Sequence, residues 1–146
     1  MSKHKLLVVW TNYYNDLAKQ QLDSCLSLLD KSEYDYAVET VDAGTYEIPV
    51  VIQYYHHHNP YDGYLPLSLL LKGSTDHYEF ILEHVKECFI QFAMNGVLIG
   101  NGIISAPSME LMIKRVENHE RVDEAFRALD YLIRLKEKLK IYEATP

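Results

Sequence analysis

The sequence predicts a three-layer α/β/α sandwich built on a four-stranded parallel sheet. Short apolar runs rich in β-branched residues alternate with amphipathic helical stripes, giving the order βαβαβαβαα over 146 residues. This alternation is typical of a parallel sheet covered by helices on both faces, with right-handed crossovers. The sequence contains no internal repeat and no linker, so we expect one domain spanning residues 1–146.

The first half of the chain supplies two strands and two helices. Residues 6–10 form a short apolar run, which predicts a strand buried on both faces. Residues 16–30 carry a helical stripe of apolar side chains, and residues 36–41 alternate enough to form the second strand. Pro49 suits the start of a short helix over residues 47–57.

The second half continues the alternation and ends in two helices. We predict an almost wholly apolar strand over residues 64–71, an amphipathic helix over 76–95 and a fourth strand over 97–104. Two further helices are predicted over residues 108–117 and 120–140. The inward face of the last helix is predicted to carry Val122, Phe126, Leu129, Ile133 and Leu139.

The candidate site lies where the strands end. Ligands of open parallel sheets bind beyond the carboxyl ends of the strands. The segments that follow the four predicted strands are residues 11–15, 42–47, 72–77 and 101–107.

The charge and composition of the chain argue against several classes of function. The formal net charge of −7 argues against a general nucleic-acid or membrane-surface role, since both need a basic face. Cys25 and Cys88 lack metal-ligand or redox spacing and fall in apolar helical patterns, which predicts buried reduced thiols. No signal peptide precedes the first apolar run and no apolar stretch reaches the length of a membrane span, so we expect a cytoplasmic protein.

The strongest candidate for chemistry is the segment KGSTDHYEF, which follows the third strand. Gly73, Ser74 and Thr75 form a turn before a helix, where free backbone N–H groups and the helix dipole favour an anion. Lys72 adds positive charge, and His77 in the first helical turn could move protons near neutral pH. An ordinary capped helix with a surface histidine would show the same residues.

Weaker candidates lie in three other segments. Arg115 has the planar fork that suits a phosphate, although an arginine near a helix end usually only favours the helix dipole. In the segment AGTYEIP, Tyr46 could stack on a flat ligand and Glu47 could accept hydrogen bonds. Tyr13 and Tyr14 could cover an aromatic ring.

The run of His56, His57 and His58 invites a metal interpretation, which we do not favour. Adjacent residues on a helix point in different directions, so three in a row do not readily share one ion. No metal site is predicted.

Taken in order, these segments resemble lumazine synthases over about residues 6–139. The resemblance rests on NYYNDLA after the first strand, GTYEIP after the second, KGSTDHYEF after the third and GNGII on the fourth. It implies a flavodoxin-like fold and a transferase of riboflavin biosynthesis. That enzyme condenses 5-amino-6-ribitylamino-uracil with 3,4-dihydroxy-2-butanone 4-phosphate in the penultimate step, giving 6,7-dimethyl-8-ribityllumazine. The resemblance implies no metal or organic cofactor.

The resemblance also implies roles for individual residues. His77 would be the proton-transfer residue, and Gly73, Ser74 and Thr75 together with Arg115 would bind the phosphate. The positions implied to hold the pyrimidine and its ribityl chain are Tyr13, Thr45, Tyr46, Glu47, Leu70, Leu71 and Asn101.

Three residues depart from the family pattern. Lys72 stands where an arginine is usual, which keeps the charge but loses the fork. Asn101 stands where many members carry an apolar or aromatic residue. Glu124 aligns near the lysine of a Lys-Gly pair close to the substrate, so the charge is reversed there.

The implied partners are small-molecule substrates and further copies of the chain. The family places its sites between adjacent subunits of a homopentamer, with the fourth strand and Arg115 supplied by the neighbour. We expect a pentamer, alone or paired, rather than a sixty-subunit shell, because residues 1–5 provide little arm to join a neighbouring sheet. A riboflavin synthase is a possible docking partner.

Three other functions compete with this one. A non-catalytic pentamer of the same fold could bind lumazine or flavin, or act as a scaffold, and Glu124 is its support. A riboflavin synthase related to this family would need no phosphate segment. A flavodoxin-like binding module would carry a Ser/Thr/Gly-rich loop after the first strand, where this chain has TNYYND.

Overall fold

Strands and helices alternate in the computed structural model as the sequence predicts. The structure describes residues 4–74 and 76–141. In chain order the elements are β1 (Lys5–Thr11), α1 (Asn15–Asp30), β2 (Asp35–Val41), a 3-10 turn (Thr45–Glu47), α2 (Ile48–His58), β3 (Gly63–Leu71), α3 (His77–Met94), β4 (Gly102–Ala106), α4 (Met109–Glu117) and α5 (Glu120–Lys138). Most boundaries lie within one or two residues of their predicted positions.

The four strands form one parallel sheet in the order β2-β1-β3-β4. Val8 of β1 lies opposite Val38 of β2 on one side and Leu65 of β3 on the other. The chain moves outward from β1 to β2 and then crosses back to β3, so the order reverses between the two central strands. Open parallel sheets form their ligand crevice at this reversal.

Helices cover both faces of the sheet and bury two separate cores. On one face, Leu6 and Val8 of β1 pack with apolar residues of α1, α4 and α5. On the other face, Leu7 and Val9 pack with residues of α2 and α3. Each fully buried leucine or valine contributes about 1.5–3 kcal/mol, so these two cores dominate the folding energy. The predicted three-layer α/β/α class is confirmed.

Trp10 is the only tryptophan in the sequence and lies near the carboxyl end of β1. Its side chain is buried, and its Nε1 donates a hydrogen bond of 2.9 Å to Thr40 Oγ1 on β2. The indole hydrogen bond therefore links the edge strand β2 to the central strand β1 near their carboxyl ends.

The fourth strand begins later than predicted. Ile99 forms only an isolated bridge with Tyr64, and regular pairing runs from Gly102 to Ala106 rather than over residues 97–104. The register that pairs Tyr64 with Ile99 and Leu67 with Gly102 places Pro66 of β3 opposite Asn101. Proline has no backbone N–H to donate to the ladder, so regular pairing is interrupted there.

Gly100 lies where α5 approaches the sheet closely. A Cβ atom there would collide with the backbone oxygen of Ala125 and come within 2.8 Å of Leu65 Cδ2. Glycine is therefore required by space at this point, and the close packing fixes α5 against the start of β4.

The inward face of α5 is shorter than predicted. Val122, Leu129 and Ile133 are buried and Phe126 is half-buried, but Leu139 is exposed. The prediction for Leu139 is wrong because α5 ends at Lys138. Within the described part of the chain, no helix is both long and apolar enough to cross a membrane.

Candidate active site

A cluster of three buried hydroxyl groups lies at the carboxyl edge of the two central strands. Thr11 ends β1, Ser68 lies on β3, and Thr45 begins the 3-10 turn that follows β2. Ser68 Oγ is 2.6 Å from Thr11 Oγ1 and 2.6 Å from Thr45 Oγ1. The three side chains thus connect the turn after β2 to the centre of the sheet.

The turn Thr45–Glu47 is also held by its own backbone and by α3. Glu47 Oε1 accepts a 2.9 Å hydrogen bond from the backbone N of Gly44. The ring of Tyr46 stacks on His84 of α3, with centroids 3.9 Å apart, and lies parallel to Phe80 at 6.0 Å. The predicted substrate-binding residues of this turn therefore have defined positions without a ligand.

The turn between β3 and α3 is open to solvent. The backbone N of Lys72 donates to Ala106 O at 2.9 Å, which fixes the start of the turn against the end of β4. Gly73 and Ser74 are exposed, and a Cβ atom on Gly73 would meet nothing within 4 Å. Thr75, the third predicted phosphate residue, lies outside the described residues.

His77 is the first residue of α3 and is exposed. The residue before it, Asp76, makes no side-chain capping hydrogen bond. The first N–H groups of a helix have no partners within the helix, and they carry the positive end of its dipole. The start of α3 can therefore attract an anion beside the imidazole.

Lys72 forms a solvent-exposed ion pair that a ligand can replace. Its Nζ is 3.5 Å from Glu79 Oε1, and both side chains are about half exposed, at 53% and 55%. A solvent-exposed pair of this kind contributes about 1 kcal/mol or less. Lys72 can therefore leave Glu79 for a more highly charged phosphate at little cost.

Tyr13 and Tyr14 follow β1 at the same edge. Tyr13 is 75% exposed, and its ring meets Tyr14 edge-on with centroids 4.9 Å apart. Burial raises the pKa of the Tyr14 phenol above its usual value. Tyr14 thus supports the exposed ring of Tyr13, which is free to stack on a ligand.

Leu70 and Leu71 lie at the carboxyl end of β3. Leu70 is buried with the core of α2 and α3, and half-buried Leu71 packs against the other core. With both side chains turned into the cores, the groups they can offer to a ligand are those of the backbone.

Arg115 and Asn101 belong to the part of the chain around β4. Arg115 is on α4, which packs on the sheet face opposite α3, and its Nη1 donates a short hydrogen bond to Ser105 O. Asn101 immediately precedes Gly102, where β4 begins, and so lies toward the amino-terminal end of that edge strand. Arg115 therefore meets the backbone of β4 at Ser105, which lies opposite Leu70 of β3. The remaining described candidates lie in the segments that end or follow β1, β2 and β3.

A large cavity occurs at the opposite end of the sheet. It measures about 1020 Å³ and is lined by α1, α5 and the chain between α1 and β2. Its polar groups pair with one another, since Tyr34 Oη donates to Asp130 at 2.5 Å and Arg134 Nε lies 2.9 Å from the same carboxylate. None of the predicted site residues lines this cavity, and we do not place the site there.

Comparison with known proteins identifies the family. The family model of 6,7-dimethyl-8-ribityllumazine synthase matches residues 3–137. This chain belongs to the 6,7-dimethyl-8-ribityllumazine synthase family. The resemblance inferred from the four motifs is confirmed.

Individual members of the lumazine synthase family match at modest identity. A 6,7-dimethyl-8-ribityllumazine synthase of Agrobacterium fabrum is 31% identical over 147 residues, covering 95% of this chain and 99% of that protein. One of Sphingopyxis alaskensis is 27% identical over 138 residues, covering 93% and 97%. One of Jannaschia sp. is 28% identical over 114 residues, covering 77% of this chain and 63% of that protein, which is less than two thirds of its length.

Glu124, which departs from the lumazine synthase pattern, has surroundings that the structure describes. It is exposed on α5, and its Oε2 lies 3.6 Å from Arg121 Nη1. The next residue, Ala125, faces the start of β4 at Gly100. Within its own chain Glu124 therefore has a cation beside it.

The histidine run in this lumazine synthase family member is divided among different partners. His56 Nδ1 lies 3.1 Å from Tyr64 Oη, and His57 Nε2 lies 2.5 Å from Gln53 Nε2. Within residues 4–74 and 76–141, no three histidine, cysteine or acidic side chains are grouped as metal ligands.

Sequence reasoning missed Ser68, Thr11 and His84. Ser68 is the only polar side chain among residues 65–71, and an isolated hydroxyl in a buried strand must find a hydrogen-bond partner. That signal was available, but it did not identify the partner. His84 lies two helical turns after His77, and only the fold shows that it supports Tyr46.

Proposed function

We propose that this protein is a 6,7-dimethyl-8-ribityllumazine synthase. It condenses 5-amino-6-ribitylamino-uracil with 3,4-dihydroxy-2-butanone 4-phosphate and releases phosphate and two molecules of water. The proposal rests on the family match over residues 3–137, and the site geometry supports it. Gly73 and Ser74 precede α3, and the turn Thr45–Glu47 follows β2, the strand next to β1 in the sheet.

The phosphate-bearing substrate would bind at the turn between β3 and α3. Backbone N–H groups at the start of α3 and the hydroxyl of Ser74 would donate to the phosphate oxygens, and Lys72 would add charge. This local site would overcome the formal net charge of −7. Fixing the phosphate orients the adjacent carbons for its elimination as inorganic phosphate.

The pyrimidine would lie between Tyr13 and the turn after β2. Tyr13 would stack on the ring, backbone groups of Leu70 and Leu71 would frame it, and the turn Thr45–Glu47 would hold the ribityl chain. His77 would carry protons during imine formation and ring closure, which both require proton transfer to and from nitrogen and oxygen. The proposal requires no metal or organic cofactor.

A neighbouring copy of the chain would complete the site. Because β4 is an edge strand, we propose that Arg115 and Asn101, which lie on or beside it, serve the adjacent subunit of a homopentamer. Exposed apolar side chains on α3, among them Ile90 at 52% and Met94 at 79%, support association. Buried Cys25 is consistent with a reduced cytoplasmic protein, and a riboflavin synthase remains a proposed partner.

The proposal is tested by following lumazine formation from the two substrates by absorbance and fluorescence, against a control without enzyme. We expect clear acceleration by the wild-type protein. Arg115→Ala should lower kcat/KM by about 10- to 100-fold, because it removes charged hydrogen bonds to the phosphate. His77→Ala should cause a smaller loss, since the condensation also proceeds slowly in solution.

Arg127→Ala is the matched control, because Arg127 is an exposed arginine on α5 outside the proposed site. Its kcat/KM should equal that of the wild type. A folded oligomer that gives no acceleration would reject the enzyme and favour a non-catalytic protein that binds lumazine or flavin.

A further inference from the structure

Ser68 occupies an unusual position in the central strand β3. It is 1% exposed and lies between Leu67 and Leu69, whose side chains pack in the core of α1, α4 and α5. A buried hydroxyl without a partner costs about 1–3 kcal/mol, so the strand tolerates Ser68 only because it is hydrogen-bonded. Both of its partners, Thr11 and Thr45, are themselves at most 5% exposed.

The bonds of Ser68 join two segments that are distant in sequence. Thr11 is 57 residues before Ser68, and Thr45 is 23 residues before it. Thr11 belongs to the regular ladder of β1, whereas Thr45 belongs to the short turn after β2. Of the three, only Thr45 lies in a segment that can be displaced without disrupting the sheet, so the network fixes the turn to the sheet.

Counting hydroxyl protons shows what the network offers to a ligand. The three hydroxyl groups carry three protons, but the two bonds use only two of them. When Thr11 donates to Ser68 and Ser68 donates to Thr45, the Thr45 proton is left for a group outside the network. In the reverse order, Thr45 keeps lone pairs that can accept. A polyhydroxy chain, whose groups both donate and accept, suits such an adaptable partner.

We propose that Ser68 is a positioning residue for the turn Thr45–Glu47 and, through it, for the polyhydroxy side chain of the pyrimidine substrate. Thr11 acts with it by fixing the orientation of the Ser68 hydroxyl. This role rests on the proposed function. Ser68 touches no substrate itself, so its removal acts on binding of one substrate and leaves the phosphate site at the β3–α3 turn intact.

Steady-state kinetics with each substrate varied in turn tests the proposal. Ser68→Ala should raise the KM for the ribitylamino-uracil about threefold to tenfold, the usual effect of losing a hydrogen bond such as the one to Thr45 that anchors the turn, with kcat within about twofold. The KM for the butanone phosphate should be unchanged. Thr11→Val, which removes a hydroxyl at constant shape, should act in the same direction, and Thr11→Ser should restore the wild-type value.

Ser32→Ala is the matched serine control at the far end of the sheet. Ser32 Oγ donates to Leu29 O at 2.7 Å, so this variant also loses a serine hydrogen bond. Both KM values should stay at the wild-type level. A rise of both KM values together in Ser68→Ala, or a fall in kcat alone, would overturn the positioning role.

Hydrogen–deuterium exchange gives a readout that does not depend on catalysis. Amides of residues 44–48 should exchange faster in Ser68→Ala and Thr11→Val than in the wild type or Ser32→Ala. Unchanged exchange in this segment would overturn the proposal whether or not the protein is an enzyme. Failure of the wild type to accelerate the reaction, with faster exchange in Ser68→Ala, would reject the proposed function but retain the anchoring role of Ser68.

Discussion

Side chains at the carboxyl edge fall into two groups according to what holds them. Thr45 and Glu47 are engaged with Ser68 and with the backbone of Gly44, so they occupy fixed positions before any ligand binds. Tyr13 remains largely exposed. Ordering a side chain during binding costs free energy, so the fixed group would set geometry and the exposed group would adjust to the ligand.

Cys25 gives a prediction at the level of one side chain. Burial raises the pKa of its thiol from 9.0 to about 12. Because the thiolate is the reactive form, iodoacetamide at about pH 8 should label Cys88 in the folded protein but Cys25 only after unfolding, as read by mass spectrometry. Labelling of native Cys25 as fast as in the unfolded chain would contradict this.

The same shift in pKa has a consequence for stability. A pKa raised on folding stabilises the protein fully below the unfolded value, and the contribution is lost as the pH rises through the folded value. The contribution of Cys25 should therefore decline between pH 9.0 and about 12. The free energy of unfolding should fall less steeply over that range in Cys25→Ala than in the wild type.

The sequence identified candidate site residues only where the neighbouring residues also indicated the local structure. The segment after β3 could be chosen as the strongest candidate because a glycine turn between an apolar strand and a helix favours an anion, although an ordinary capped helix would show the same residues. Arg115 was a candidate for phosphate binding because of its planar guanidinium, whereas the role of Asn101 came only from the resemblance. The network of Ser68 was missed because strand periodicity does not show which loop will fold over a strand.

Elements were predicted well where a single periodicity governed them. The stripe of α3 is an example, since Ile81, Val85 and Phe92 are buried as their spacing requires. The start of β4 was misplaced because its apolar pattern continues through residues 97–104, although Pro66 of β3 lies opposite Asn101 and has no N–H for the ladder. Periodicity reports which face is buried but does not reveal where a backbone ladder is interrupted.

Packing of α5 against the sheet leads to a prediction about stability. Gly100→Ala should lower the free energy of unfolding by about 2–4 kcal/mol, because the new methyl group meets the backbone of Ala125 and neither can move easily. Gly73→Ala is the matched control, since open space surrounds that residue, and it should change stability by about 0.5 kcal/mol or less. Urea unfolding of both variants measures the difference, and equal values would disprove the close packing.

The molecule as a whole was predictable as a class but not in its strand order. Alternating elements imply a parallel sheet with two covered faces, and the structure has both. The order β2-β1-β3-β4 follows from which crossover covers which face, and local patterns do not contain that information. The sequence likewise did not show that α3 has an exposed apolar surface, because its pattern resembles that of a helix buried within its own chain.

The proposed homopentamer is tested by its mass. Light scattering at physiological salt should show a pentamer or a pair of pentamers rather than a sixty-subunit particle. Ile90→Glu should dissociate it, since a charge on exposed α3 would be buried without a partner in the assembly. Tyr131→Glu is the control on exposed α5 and should leave the mass unchanged. A monomeric wild type would refute the assembly and the shared site.

The position of Trp10 has a spectroscopic consequence. As the only indole in the chain, it precedes Thr11 of the hydroxyl network and so lies beside the edge where the proposed ligand would bind. Lumazine and flavin rings absorb near the wavelengths at which indole emits, and resonance energy transfer falls with the sixth power of separation. Quenching of Trp10 emission therefore reports the distance between the indole and a bound ring. A ring at the carboxyl edge would quench its emission far more strongly than one in the cavity at the opposite end of the sheet.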